Sequence, residues 1–232
     1  MKKILLCSYR DWSNKICDGL ELYFKDIEDY FANYEDLIII KCTTQEKFLN
    51  IVKENKFDYI FFLGWSDIID KSIVDNNFCI CLHPSMLPKY RGGSPLQHQI
   101  INNEEEMGVT LFKMDEYLDK GDIIFQQPIS IFIEDNLDDI YNQISISGYN
   151  GVRWIIECLC QGIKIDLRPQ DDNKSTYFKR RTPAMSEIKI NDLKNLTATD
   201  IHNKVRCLQD PYPNAYIVCK DNTKLYITNT KI

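Results

Sequence analysis

The stretch HPSMLPKYRGGSP, residues 83–95, sets a histidine between an apolar run and a segment rich in turn residues. The run before it, FCICLH (78–83), reads as a buried strand. Pro84 forbids helical continuation and fixes the turn that follows. His83 therefore stands at a strand end, and imidazole titrates nearest neutrality of all side chains, which suits it to acid–base work. The other two histidines sit differently: His98 falls on a polar helix face and reads as solvated, and His202 falls in a C-terminal helix and reads as structural. Cys81 lies two residues before His83, on the same face of an alternating strand. Cys79 with Cys81, and Cys158 with Cys160, make C-x-C pairs. There is neither a C-x-x-C nor a paired histidine spacing, so no metal is expected.

The elements that must position these residues alternate. KKILLCS (2–8), LIIIKC (37–42), FDYIFFLGW (57–65) and FCICLH (78–83) read as strands. Helices are expected over 18–34, with Leu20, Tyr23, Ile27 and Phe31 on one side, over 44–55 behind a Thr43 or Thr44 cap, and over 66–76. Residues 94–104 read as a helix with Pro95 in its first turn, 108–116 and 122–131 as strands, and 135–162 as a long helix interrupted by glycines. A polar linker over 167–175, a helix over 198–209 and a hairpin over 214–228 complete the chain. The pattern predicts an α/β fold: a Rossmann-like, mostly parallel twisted sheet with helices on both faces. A catalytic domain is expected over 1–166, and a small C-terminal subdomain ending in a β-hairpin over 167–232. Ligands in such sheets gather at the carboxyl ends of strands, where His83 lies.

Composition narrows the partners. The 232 residues are 44% hydrophobic with a net charge of −6, an ordinary globular balance that argues against a nucleic-acid partner. The nine cysteines are odd in number and follow no secretory signal, which points to reduced thiols in a cytoplasmic protein. No apolar run approaches the ~18 residues a membrane span needs, so no membrane partner is expected.

Three motifs, CLHPSMLPKYRGGSP (81–95), GVTLFKMD (108–115) and LDKGD (118–122), stand in an order and spacing that resemble the formyltransferases using 10-formyltetrahydrofolate. YFKRRTP (177–183) and VRCLQDPYP (205–213) resemble that family's C-terminal part. The resemblance implies 10-formyltetrahydrofolate as co-substrate, His83 as the central acid/base and Asp119 as its catalytic carboxylate. It also implies that Ser85, Met86, Leu87 and Pro88 line the folate pocket, with the loop after Gly64 adding to it. Formyl transfer to an amine requires the amine to lose a proton, the oxyanion to be stabilised and the folate nitrogen to leave protonated. A carboxylate beside the imidazole favours its charged form. Substrate contacts are expected from Arg10, Tyr90, Arg91, Lys179 and Arg181 as anion partners and from Tyr9 or Trp12 as stacking rings.

At Cys81 the sequence departs from the resemblance, which implies an asparagine whose amide donates to the developing oxyanion. A thiol is a weak donor. Four readings stand: a slow enzyme, another group supplying the contact, a binding protein for nucleotide sugar or folate without turnover, or Cys81 as a nucleophile forming a thioester. Among the relatives, YRGGSPLQHQI (90–100) and a short tail ending in a hairpin look most like the sugar N-formyltransferases. That implies a nucleotide-linked amino sugar, commonly dTDP-linked, as acceptor, a product used in surface glycans such as O-antigen, and a homodimer formed through the hairpin. Methionyl-tRNA and glycinamide ribonucleotide formyltransferases fit less well.

Overall fold

The computed structural model describes residues 2–28, 34, 36–210 and 212–232. Phe31, expected on a helix face, lies outside them. Strands β1 (Lys2–Cys7), β2 (Leu37–Cys42), β3 (Tyr59–Leu63) and β4 (Cys79–His83) alternate with helices α1 (Asp11–Glu28), α2 (Gln45–Glu54) and α3 (Lys71–Asn76). After β4 come the two-residue strand β5 (Arg91–Gly92), helix α4 (Pro95–Ile101), strands β6 (Glu106–Lys113) and β7 (Ile123–Ser130), and helix α5 (Leu137–Gln161). The main sheet has six strands in the order β2-β1-β3-β4-β6-β7. Its pairings from β2 to β4 are parallel, and β6 and β7 join antiparallel. The sheet is thus mixed and mostly parallel, as the alternation predicts.

The apolar runs are continuous because the sheet is covered on both sides. Ile4, Leu6, Phe61, Leu63, Ile80 and Leu82 face α1 and α5 in one cluster. Their neighbours Leu5, Cys7, Ile60, Phe62 and Cys79 face Phe48 of α2 in the other. Three helix expectations change. α1 begins at Asp11, because buried Ile16 continues the stripe of Leu20 and Phe24 back toward the strand. Only Lys71–Asn76 of the stretch 66–76 is helical, capped by Asp70, whose side chain accepts from the Ser72 amide. The glycines of α5 do not interrupt it. A Cβ at Gly148 would lie 2.6 Å from Leu82 and 2.8 Å from Ile16, and one at Gly151 would lie 2.7 Å from Leu111. Their missing side chains let the helix lie close on the sheet. α5 starts in an Asn136–Asp139 capping box and ends at Gly162 in the left-handed conformation.

The stretch 167–175 is no free linker. Arg168 bridges to Ile123 through two backbone hydrogen bonds, and β8 (Tyr177–Phe178) pairs in parallel with β5. Helices α6 (Asp192–Asn195) and α7 (Ala198–Arg206) lead to a hairpin of β9 (Ala215–Val218) and β10 (Lys224–Ile227). The hairpin's Ala215 and Tyr216 are buried against the chain's own Ile188 region, while Val218, Leu225 and Tyr226 are exposed. His98 is not solvated: its Nε2 donates to the Lys179 carbonyl at 3.0 Å and its ring lies 4.6 Å from Phe178. Burial accordingly lowers its pKa. His202 is structural, held between Thr230 and the Ile133 carbonyl. All nine cysteines are free thiols. Among the described residues, no helix is long and apolar enough to cross a membrane, and no group of three His, Cys, Asp or Glu side chains is arranged for a metal ion.

Candidate active site

A cavity of about 570 Å³ opens beside the carboxyl ends of β1, β3 and β4. Arg10 and Trp12 after β1, Gly64–Ile69 after β3, and His83 and Pro84 after β4 form one side. The loop Met114–Asp119 between β6 and β7 forms another, and Gln97, Tyr141, Arg180, Arg181 and Tyr212 also line the cavity.

His83 and Asp119 meet in its wall. The His83 Nδ1 lies 3.7 Å from the Asp119 Oδ2, with both side chains less than 10% exposed. His83 Nε2 lies 2.8 Å from the Tyr90 carbonyl. A carbonyl only accepts, so Nε2 carries a proton. The neutral ring then leaves Nδ1 as a bare lone pair facing the carboxylate, and protonation there creates an ion pair. The geometry thus leaves Nδ1 as the ring edge that faces the Asp119 carboxylate.

The surrounding motifs build this pair. Thr110 of the GVT motif sits opposite His83 in the ladder. Its hydroxyl donates to the Ser85 carbonyl at 2.6 Å and accepts from the Leu87 amide at 3.2 Å, pinning the turn after His83. Ser85 Oγ closes that turn by donating to the Lys89 carbonyl at 2.7 Å. The turn delivers the Tyr90 carbonyl to His83 and the Gly92 amide to Asp119, whose Oδ2 accepts from Gly92 at 2.7 Å. Asp119 itself is held at φ +56. Two residues on, a Cβ at Gly121 would lie 1.7 Å from the Lys113 carbonyl oxygen, so only glycine lets the loop pass.

Cys81 reaches the same cavity, on the strand face of His83. Burial, then the Asp119 charge, pushes its thiol well above the ordinary range, so it is protonated at neutral pH. Its Sγ makes a long contact, 3.7 Å, to the Leu82 carbonyl. A protonated thiol is a poor nucleophile, which weakens the thioester reading.

The other predicted residues divide. Arg10, Trp12 and Arg181 line the cavity, and so does the loop after Gly64. Arg10 is braced by the Gly64 carbonyl and Ser66 hydroxyl at 3.0 and 2.9 Å. Trp12 stacks on Tyr141 at 5.6 Å. Ser85, Met86, Leu87 and Pro88 do not line it. Ser85 and Leu87 are buried behind it, and Met86 packs over Gly108, so the motif acts as the scaffold of the His83 turn. Tyr90 turns away, its hydroxyl donating to Glu104 at 2.6 Å. The Arg91 guanidinium is spent on Gln170 and Asp172. Tyr9 packs on Trp65 outside the lining, and Lys179 offers its carbonyl to His98. The cavity also takes Gln97 from YRGGSPLQHQI and Tyr212 from VRCLQDPYP, motifs in which neither is singled out, Trp65 from the loop after Gly64, and Tyr141, which no motif holds. Among the described residues, the side-chain nitrogens Trp12 Nε1, Trp65 Nε1, Gln97 Nε2 and Arg181 Nε beside this cavity are buried without a hydrogen-bond partner. All four are donors.

The family described as formyl transferase matches residues 34–155, more than half of the chain and the span that holds His83 and Asp119. The chain belongs to the formyl transferase family. The methionyl-tRNA formyltransferase of Syntrophomonas wolfei is 31% identical over 183 residues, 78% of this chain and 54% of that protein. The chain thus spans about half the length of that curated relative. Its fold is similar to a sugar N-formyltransferase from Shewanella sp., with TM-score 0.78 and 20% identity over 98% of this chain and 96% of that one. It is also similar to HypX from Aquifex aeolicus in complex with tetrahydrofolic acid, with TM-score 0.72 and 20% identity over 92% of this chain and 35% of that one. The formyl transferase cavity suits a folate. A pterin needs an apolar slot with a few polar contacts, and Ile69, Val74, Leu82 and Met114 supply the slot beside the orphaned Trp65 N–H.

Proposed function

We propose that this formyl transferase moves the formyl group of 10-formyltetrahydrofolate onto the amine of a nucleotide-linked amino sugar. The observation that carries the reading is His83 facing Asp119 in a cavity where, among the described residues, the buried side-chain polar atoms without a partner are all N–H donors, with the carboxylates of Asp67, Asp115 and Glu116 also in the lining. Such a wall calls for a ligand that brings acceptors. The oxygens of a sugar diphosphate meet that need beside Arg10, Arg180 and Arg181.

The loops 64–69 and 114–119 hold the folate in this reading, and bound 10-formyltetrahydrofolate supplies the activated formyl group. His83 Nδ1 takes the proton from the incoming amine, and Asp119 stabilises the charge that results. The same Nδ1–H then protonates the departing nitrogen. Cys81 offers its S–H toward the charge that develops on the formyl oxygen. Folding of the Tyr90–Gly92 turn over the pair keeps the imidazole in one tautomer.

The curated relatives favour methionyl-tRNA as a second acceptor. One assay separates the two: tetrahydrofolate release from 10-formyltetrahydrofolate with a panel of dTDP-linked amino sugars, and with methionyl-tRNA. Release with a sugar nucleotide supports the proposal, and release with methionyl-tRNA alone replaces it.

A further inference from the structure

We propose that Gln170, outside the family match, is a positioning residue that sets Asp119 against His83; the catalytic part of this inference rests on the formyl-transfer reading above. Its carboxamide uses its whole hydrogen-bonding capacity. Oε1 accepts from Arg91 Nε and Nη2 at 3.1 and 2.7 Å. Nε2 donates to the Asp119 and Gly121 carbonyls at 3.0 and 2.7 Å.

These bonds close a ring around the catalytic carboxylate. The Gly92 amide donates to Asp119 Oδ2, the Asp119 carbonyl takes Gln170 Nε2, Gln170 Oε1 takes Arg91, and Arg91 is covalently joined to Gly92. Asp119 is thus gripped at both its carboxylate and its carbonyl. The grip acts where the backbone is held at φ +56, the left-handed region that is uncommon for non-glycine residues though readier for Asp than for most. The fully buried Arg91 is anchored further by Asp172, 2.8 Å away, which also pairs with Lys120 at 2.9 Å. The segment around residue 170 therefore works as a strap from the C-terminal part onto the acid–base pair. A displacement of a reacting group by ~1 Å can cost about a hundredfold in rate.

The test pairs a ligand-free measurement with kinetics. In the ligand-free protein, the imidazole ¹⁵N shifts of His83 report which ring nitrogen holds the proton and how strongly. In Gln170→Ala they should move in the same direction as in Asp119→Asn. In Gln170→Glu, which keeps the acceptor for Arg91 but sets an oxygen against two carbonyls, they should move likewise. This readout stands whether or not the acceptor is an amino sugar. In turnover, both Gln170 variants should lose about 10- to 100-fold in kcat with KM nearly unchanged. The double variant Gln170→Ala/Asp119→Asn should be no slower than Asp119→Asn alone, because both act through one group. Unmoved ¹⁵N shifts in both variants, or additive losses in the double variant, overturn the positioning role. Moved shifts with no turnover on any amine leave Gln170 positioning Asp119 and refute the formyl-transfer reading instead.

Discussion

Replacing Cys81 with asparagine should make the protein faster and less stable. In other acyl-transfer sites one amide donor to the oxyanion is worth roughly 10²–10³ in kcat. The thiol here supplies little of that. It is a weak donor by nature, and among the described residues its hydrogen-bond contact is the 3.7 Å approach to the Leu82 carbonyl. Cys81→Asn should therefore raise kcat by about 10- to 1000-fold, with KM for either substrate changing far less, since the donor matters once charge has developed. The cost falls on folding. Cys81 packs among Leu87, Phe112, Ile123 and Met114, and an amide group left unpaired in the free protein there costs about 1–3 kcal/mol, or roughly 2–12 °C in Tm. Cys81→Ala should change kcat little. The assay is tetrahydrofolate release at saturating concentrations of both substrates, with a thermal melt of each variant. Loss of activity in Cys81→Ala, with a formyl thioester trapped by mass spectrometry, would give sulfur an essential nucleophilic role. A Cys81→Asn variant no faster than the parent would show that another group already fills the oxyanion contact.

Two further outcomes follow from the C-terminal part. Asp172 is held below the usual carboxylate range by Arg91 and then Lys120. Because its folded pKa is depressed, the stability it supplies is present above the ordinary carboxylate pKa of ~4 and is lost as pH falls through the depressed value. The urea midpoints of wild type and Asp172→Asn should therefore differ at pH 7 and converge as the pH is taken below the ordinary carboxylate range and through the depressed value; a gap unchanged down to the acid limit of folding contradicts the linkage. A dimer through the hairpin, the expectation drawn from the resemblance to sugar N-formyltransferases, would pair through the exposed Val218, Leu225 and Tyr226. On that expectation light scattering should find the wild type dimeric and Leu225→Asp/Tyr226→Asp monomeric; a monomeric wild type removes the dimer, and a variant that stays dimeric removes the hairpin from the interface.

The sequence made legible what depends on local chemistry. His83 at a strand end, Asp119 in its turn and the sheet's alternation all follow from short patterns. Side chains whose partners lie far along the chain were not legible. Arg91 reads as a free phosphate ligand until Gln170, 79 residues away, takes its guanidinium. Ser85–Pro88 reads as a ligand pocket until Thr110, 25 residues beyond Ser85, shows the motif to be a scaffold. The start of α1 lies earlier than the helix expected over 18–34 because Ile16 continues its buried stripe back toward β1. Gln97 lies within YRGGSPLQHQI and Trp65 directly after Gly64, but that their N–H groups stand unpartnered beside the cavity emerges only from the fold.

The central claim is that His83, paired with Asp119, transfers protons during formyl transfer to an amine. The most direct measurement is a single-turnover mix of 10-formyltetrahydrofolate with a dTDP-linked amino sugar, following tetrahydrofolate absorbance and the formylated product by mass spectrometry, for wild type and a folded His83→Asn variant. The expected result is stoichiometric formation of both products by the wild type and a loss of at least about a hundredfold in rate in the variant. Equal rates in the two proteins, or no tetrahydrofolate released by the wild type with any amine offered, would contradict it.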